Sequence, residues 1–221
     1  MEEIYKFCDY LPQKTGDNIL DEYIKFHREN LEKSFENKLF TGAYFHLHIL
    51  YMIFIYIQIY RISKDKEQEF KYCWIGLAND EESYNKKTHP LSFSSIKEKT
   101  IFRFFRLIDF DKAFINEISD SVKDRNSMLH ANGEIVIKND EDFDKKLNLY
   151  IQKKSKIILK QKVLLEKIYQ KNVGLLEPDY MVYYDDIELN FFISNYFSIQ
   201  KLKLLAVDKS DKVSTFINNN F

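Results

Sequence analysis

The amino-acid sequence predicts an all-α protein, and three observations carry that prediction. Turn-formers are scarce: only 5 Gly and 3 Pro occur in 221 residues, against 19 Phe and 15 Tyr. Long side chains with few breakers favour long helices over tight hairpins. Apolar residues recur at three- and four-residue steps through most of the chain, the period of an amphipathic helix. A near-continuous apolar stretch, Ala43 to Ile62, has the length of a central helix. The length suits one domain, with a core over about 17–173 and a C-terminal extension over about 178–221.

Asp17 or Asn18 can cap a first long helix over about 18–38, with Ile19, Tyr23, Phe26, Leu31 and Phe35 at helical spacing. His27 lies among Lys25, Arg28 and Glu29 and reads as a surface residue. Ala43 to Ile62 could span a bilayer by length. His46, His48, Gln58 and Arg61 fall within it, and its tyrosines are spread along it rather than gathered at two belts, so a buried core helix is the favoured reading and no membrane span is expected. His46 and His48 are two apart and point to opposite sides of a helix, which suits one hydrogen-bonded core histidine better than a metal pair. Trp74 reads as core, and residues 80–95, with Pro90, as a loop between helical halves.

Ser94 or Ser95 can cap the next helix, with Glu98 at capping-box spacing from Ser95. Arg103 and Arg106 share one side of it, as solvated charges or as a weak phosphate-binding pair. Asp109 or Asp111 begins a further helix whose buried stripe is Phe114, Ile118 and Val122. After a link at Glu134–Ile137, Asn139 or Asp140 caps a long helix to about 172, closed by Gly174. Lys153, Lys154, Lys156 and Lys160 make it the best local basic surface, either a solvated face or a track for an RNA backbone. In the extension, Asp185 or Asp186 caps a helix carrying Leu189, Phe192, Ile193 and Tyr196, and Ser198 can begin another.

Composition excludes several classes. A net charge of −1 gives no global electrostatic case for nucleic acid, so any such surface is a local patch. Two cysteines, Cys8 and Cys73, make neither a disulfide framework nor a zinc set, and the acidic N-terminus is unlike a signal peptide, so a cytoplasmic setting is expected. No Gly-rich phosphate loop, His-Glu-x-x-His or Gly-x-Ser-x-Gly occurs, and neither a metal nor a cofactor is expected.

One stretch concentrates chemistry: Asp124-Arg125-Asn126-Ser127-Met128-Leu129-His130-Ala131-Asn132-Gly133. Asn126 and His130 are four apart, so on a helix they share a face and can hydrogen-bond. Arg125 and His130 are five apart and point about 140° apart on a regular helix. Convergence on one atom then requires a frayed last turn, or a second copy across a dimer. Asp120 and Asp124 can hold Arg125 or orient His130, or can simply form a solvated acidic face. Without a substrate, Arg125 could equally pair with Asp120 or Asp124, and His130 could serve the helix dipole.

Arg125-Asn126-x-x-x-His130 resembles the signature of the HEPN superfamily, small all-helical domains of which many are metal-independent ribonucleases. The resemblance covers Asp111 to Gly133, and the rest of the chain by helical class. It implies a HEPN-like bundle with additional C-terminal helices, and Arg125, Asn126 and His130 as catalytic residues. It further implies an endoribonuclease acting through the RNA 2′-OH, as a toxin or anti-phage effector on tRNA, mRNA or rRNA. A homodimer with facing motifs and an antitoxin or defence-complex partner belong to the same expectation. The alternative is a HEPN-fold module without catalysis that binds a partner protein or a nucleotide.

Overall fold

The computed structural model describes residues 1–12, 15, 17–78, 84, 86–129 and 137–173, and side chains only to Gln161, without those of Leu77, Ala78, Asp124, Met128 and Leu129. The fold is all-α, with no strand among the described residues. The helices are α1 (Glu2–Asp9), α2 (Asn18–Glu36), α3 (Phe40–Asp65), α4 (Glu67–Ala78), α5 (Glu98–Ile101), α6 (Lys112–Leu129) and α7 (Asp140–Val173). Two 3-10 helices, Pro90–Ser95 and Phe102–Ile108, flank α5. The expected C-terminal extension, with its helices, lies outside the described residues.

The α3 helix is the axis of the bundle. Leu50 to Gln58 are buried without interruption, and α2, α4, α6, α7 and both 3-10 helices pack on it. It is long and apolar enough to cross a membrane, and 67 % of its most apolar window lies inside the fold. Burial among neighbouring helices is sufficient reason for that apolarity, since each fully buried Ile, Leu or Phe contributes about 1.5–3 kcal/mol. Arg61 is a core residue of α3, not its terminator: it is fully buried and its Nε donates to Asp65 at 3.3 Å.

Helices α2 and α3 form an antiparallel hairpin. Asp17 is the cap of α2 and accepts from the Leu20 amide at 2.9 Å. The helix ends in a Schellman pair, with Lys38 N–H to Phe35 O and Leu39 N–H to Ser34 O, and Lys38 sits at φ 59°. The period expected for α2 is present, but the buried face differs. Leu20, Ile24, His27 and Leu31 point inward, while Ile19, Tyr23 and Phe26 are exposed. His27 is therefore not a surface residue. Its Nδ1 lies 2.9 Å from Nδ1 of His46, with Tyr23 and Phe26 edge-on to its ring. Burial, then the neighbouring His46, pushes the His27 pKa down to about 4, and burial lowers His46 as well.

A second aromatic group joins α4 to the middle of the chain. Phe70 stacks on Phe104 at 4.3 Å, with Trp74 and Phe93 against them. Trp74 is core, as its sequence context implies. The expected Ser94/Ser95-capped helix is shorter than anticipated. It spans only Glu98–Ile101 with Lys97 at its cap position, then tightens into the Phe102–Ile108 3-10 helix. Asp109, at φ 64°, closes that segment, and Asp111 caps α6 by accepting from the Phe114 amide at 2.8 Å. Phe114, Ile118 and Val122 are buried on α6 as expected.

Helix α7 starts at Asp140, with the Asn139 side chain accepting from the Asp142 amide. It does not present a uniform basic face. Lys153 and Lys154 are buried, while Lys156, exposed and paired with Glu117 of α6 at 3.2 Å, and Lys160 keep open positions. The Lys154 Nζ stands 3.3 Å from the centre of the Phe7 ring, 5.0 Å from that of Phe54, and donates to the Phe7 carbonyl. Burial holds its amine well below the usual lysine pKa. Cys8, buried and free, has its thiol pushed up by burial.

Candidate functional site

Arg125 lies near the C-terminal end of α6 and is a quarter exposed. It opens on a groove of about 360 Å³. The groove is lined by the exposed or half-buried Tyr23, Phe45, Ile49 and Leu91, by the buried Met52, Ile53 and Tyr56, and by the polar side chains of Ser94, Glu98 and Arg125. His48 also lines it, from a position almost wholly buried. The groove joins a shallower depression bounded by Ile19, Glu22 and Phe26, through the shared residues Tyr23 and Leu91.

Arg125 is held by a carboxylate from a different helix. Its Nη2 donates to Glu98 Oε1 at 2.6 Å, a charge-assisted bond across 27 positions of sequence. Asp120 is not that partner: it is exposed and pairs with Lys123 at 2.7 Å, whose hydrogen bond lowers its pKa. The side chain of Asp124 lies outside the described atoms. Glu98 owes its place to the short α5 helix, which brings it under the end of α6. Burial, the largest influence on its carboxyl, pushes the pKa up. The neighbouring His48 ring and the Arg125 guanidinium together outweigh burial and leave it below the usual carboxylate value.

Behind Glu98 runs a polar chain into the core. His48 Nε2 is 3.8 Å from Glu98 Oε1, an ion-pair distance and too long for a hydrogen bond. His48 Nδ1 lies 2.8 Å from the Tyr150 hydroxyl, which is 3.0 Å from that of Tyr44. Tyr150 itself stacks on Tyr51 at 4.4 Å with ring planes 1° apart. Five groups from four helices thus form one line from α7 to the groove mouth. Tyr56, in the groove lining, has its hydroxyl pKa pushed up to about 12, mostly by burial.

Of the residues singled out in the sequence, Arg125 reaches the groove and Asn126 is half-buried beside it in sequence. His130 lies outside the described residues, so the Asn126–His130 hydrogen bond expected from their spacing does too. Arg103 and Arg106 are exposed on the 3-10 segment and do not line the groove; Lys153, Lys154, Lys156 and Lys160 lie on α7 and do not line it either. Sequence reasoning missed Glu98, which satisfied a local capping pattern, and His48, which read as a core histidine. No cluster of three or more metal-ligating side chains occurs among the described residues.

Comparison with protein-family models, with curated proteins and with solved structures finds no match.

Proposed function

We propose that the chain is a HEPN-like endoribonuclease in which Arg125 receives the scissile phosphate among the polar side chains of the groove. The observation that carries this reading is the placement of Arg125, partly open, at the rim of an aromatic-lined groove. A guanidinium that spends Nη2 on Glu98 has further N–H groups that suit phosphate oxygens. Tyr23 and Phe45 supply faces on which an unpaired base can stack. In the reaction the RNA 2′-hydroxyl gives its proton to a histidine as its oxygen attacks phosphorus, the P–O5′ bond breaks, the 5′-oxygen leaves with a proton from a histidine, and charge on the phosphorane falls to Arg125. His130, four residues after Asn126, is assigned the proton transfer, with Asn126 orienting it. Two chains with facing motifs supply two such histidines, and an antitoxin or defence-complex partner fits the same setting.

A second reading is a non-catalytic binding module for a nucleotide or a partner protein. It is favoured by the Glu98 carboxylate, which already neutralises much of the charge on Arg125. Purified protein incubated with labelled total RNA in EDTA separates the two. Products ending in 2′,3′-cyclic phosphate, absent with Arg125→Ala and His130→Ala, support the nuclease. Intact RNA that is nevertheless retained by the protein supports the module.

A further inference from the structure

Two buried polar atoms at the groove have no hydrogen-bond partner: Nε2 of His48 and Oε2 of Glu98. The two side chains approach each other at 3.8 Å, between His48 Nε2 and Glu98 Oε1. An unpaired buried donor or acceptor is destabilising, so two side by side call for an explanation. The direction of the polar chain supplies part of it. A carboxylate only accepts, so in a neutral imidazole the ring nitrogen facing Glu98 carries the proton. His48 Nδ1 is then the acceptor, the Tyr150 hydroxyl donates to it, and the Tyr44 hydroxyl donates to Tyr150. The two tyrosine hydroxyls and His48 Nδ1 are thus partnered, and the N–H of His48 Nε2 and the Glu98 Oε2 are left facing each other's side chains without a bond. A carboxylate shift of about 1 Å would close the gap, at the expense of the Arg125 bond.

We infer that Glu98 is an exchanging positioning residue, which holds Arg125 while the groove is empty and passes to His48 Nε2 when a phosphate takes the guanidinium. The inference rests on the reading of the groove as a phosphodiester site. It explains why an arginine meant for phosphate is paired with a carboxylate. In the exchange Arg125 gains phosphate, and Glu98 gains a hydrogen-bond donor in place of the guanidinium. His48 lies beneath the groove and acts through Glu98, without touching substrate.

The test uses the full chain, labelled with nitrogen-15, with inorganic phosphate and a 2′-deoxy dinucleotide, which cannot be cleaved, as probes. Either probe is expected to shift the Arg125 guanidinium resonances and to move the His48 Nε2–H resonance downfield as its hydrogen bond forms. Glu98→Gln is expected to abolish the His48 response and to keep the Arg125 response. In RNA cleavage, His48→Asn removes the receiving N–H and is expected to raise KM about tenfold with kcat within about threefold. His48→Gln places an N–H near the Nε2 position and is expected to stay within about threefold of the parent in both constants. Should the asparagine variant fail to fold, the parent spectrum alone decides. An Arg125 response without a His48 response overturns the exchange and leaves the phosphodiester reading standing. Silence at Arg125, with RNA left intact, overturns both.

Discussion

Acidification should weaken this fold through the His27–His46 pair. His27 is 5 % exposed, and its pKa is lowered from 6.5 to about 4. Between those two values the unfolded chain takes up a proton that the folded chain refuses, so stability falls as pH falls through that window. With these two values the loss from His27 between about pH 7 and about pH 5 is about 2 kcal/mol. The lowered pKa of His46 acts in the same direction. For a domain of this size the His27 term corresponds to a fall in Tm of about 4–8 °C. Thermal unfolding followed by far-UV circular dichroism across that range measures it. His27→Gln removes the titration, so its profile should be flatter than the parent's by about the same 2 kcal/mol. Parallel profiles for the two proteins would refute the argument, because the pair would then not resist protonation in the fold.

Three further outcomes follow from the packing. Lys154→Met replaces a fully buried amine with an apolar chain of similar length and should stabilise by about 1–3 kcal/mol in urea unfolding; a loss of stability would show that its contacts with Phe7 and Phe54 outweigh its desolvation. Tyr150→Phe deprives His48 Nδ1 and the Tyr44 hydroxyl of a partner while keeping the stack on Tyr51, and should cost about 1–3 kcal/mol by the same assay. Lys38→Gly relieves a left-handed residue in the Schellman turn between α2 and α3 and should raise stability by about 1 kcal/mol, where an unchanged Tm would argue against strain at φ 59°.

Helical class, the central place of Ala43–Ile62, the buried stripe of α6 and the core position of Trp74 were all legible in the sequence, because each follows from local periodicity or composition. The inward face of α2 was not. Apolar residues occupy both of its sides, and a period gives spacing without saying which phase is buried. His27 is drawn inside by a partner 19 positions away, and its charged neighbours in sequence concealed this. Lys153 and Lys154 fit a basic run by count, yet aromatic rings from α1 and α3 surround the Lys154 amine. At the groove, Arg125 was recognisable from its motif, whereas Glu98 and His48 join it only through tertiary packing. Glu98 matched a capping box with Ser95 by spacing alone, and helix α5 starts too late to use that cap.

The claim at the centre of this account is that the Arg125 guanidinium meets the scissile phosphate. The single-turnover rate of RNA cleavage in EDTA, measured for the parent, Arg125→Ala and Arg125→Lys, tests it most directly. Loss of a cation placed on transition-state charge should slow the alanine variant by about a hundredfold or more, with the lysine variant between the two because it keeps the charge and loses the fork. Equal rates in all three proteins would contradict the claim, and so would cleavage that chelation abolishes.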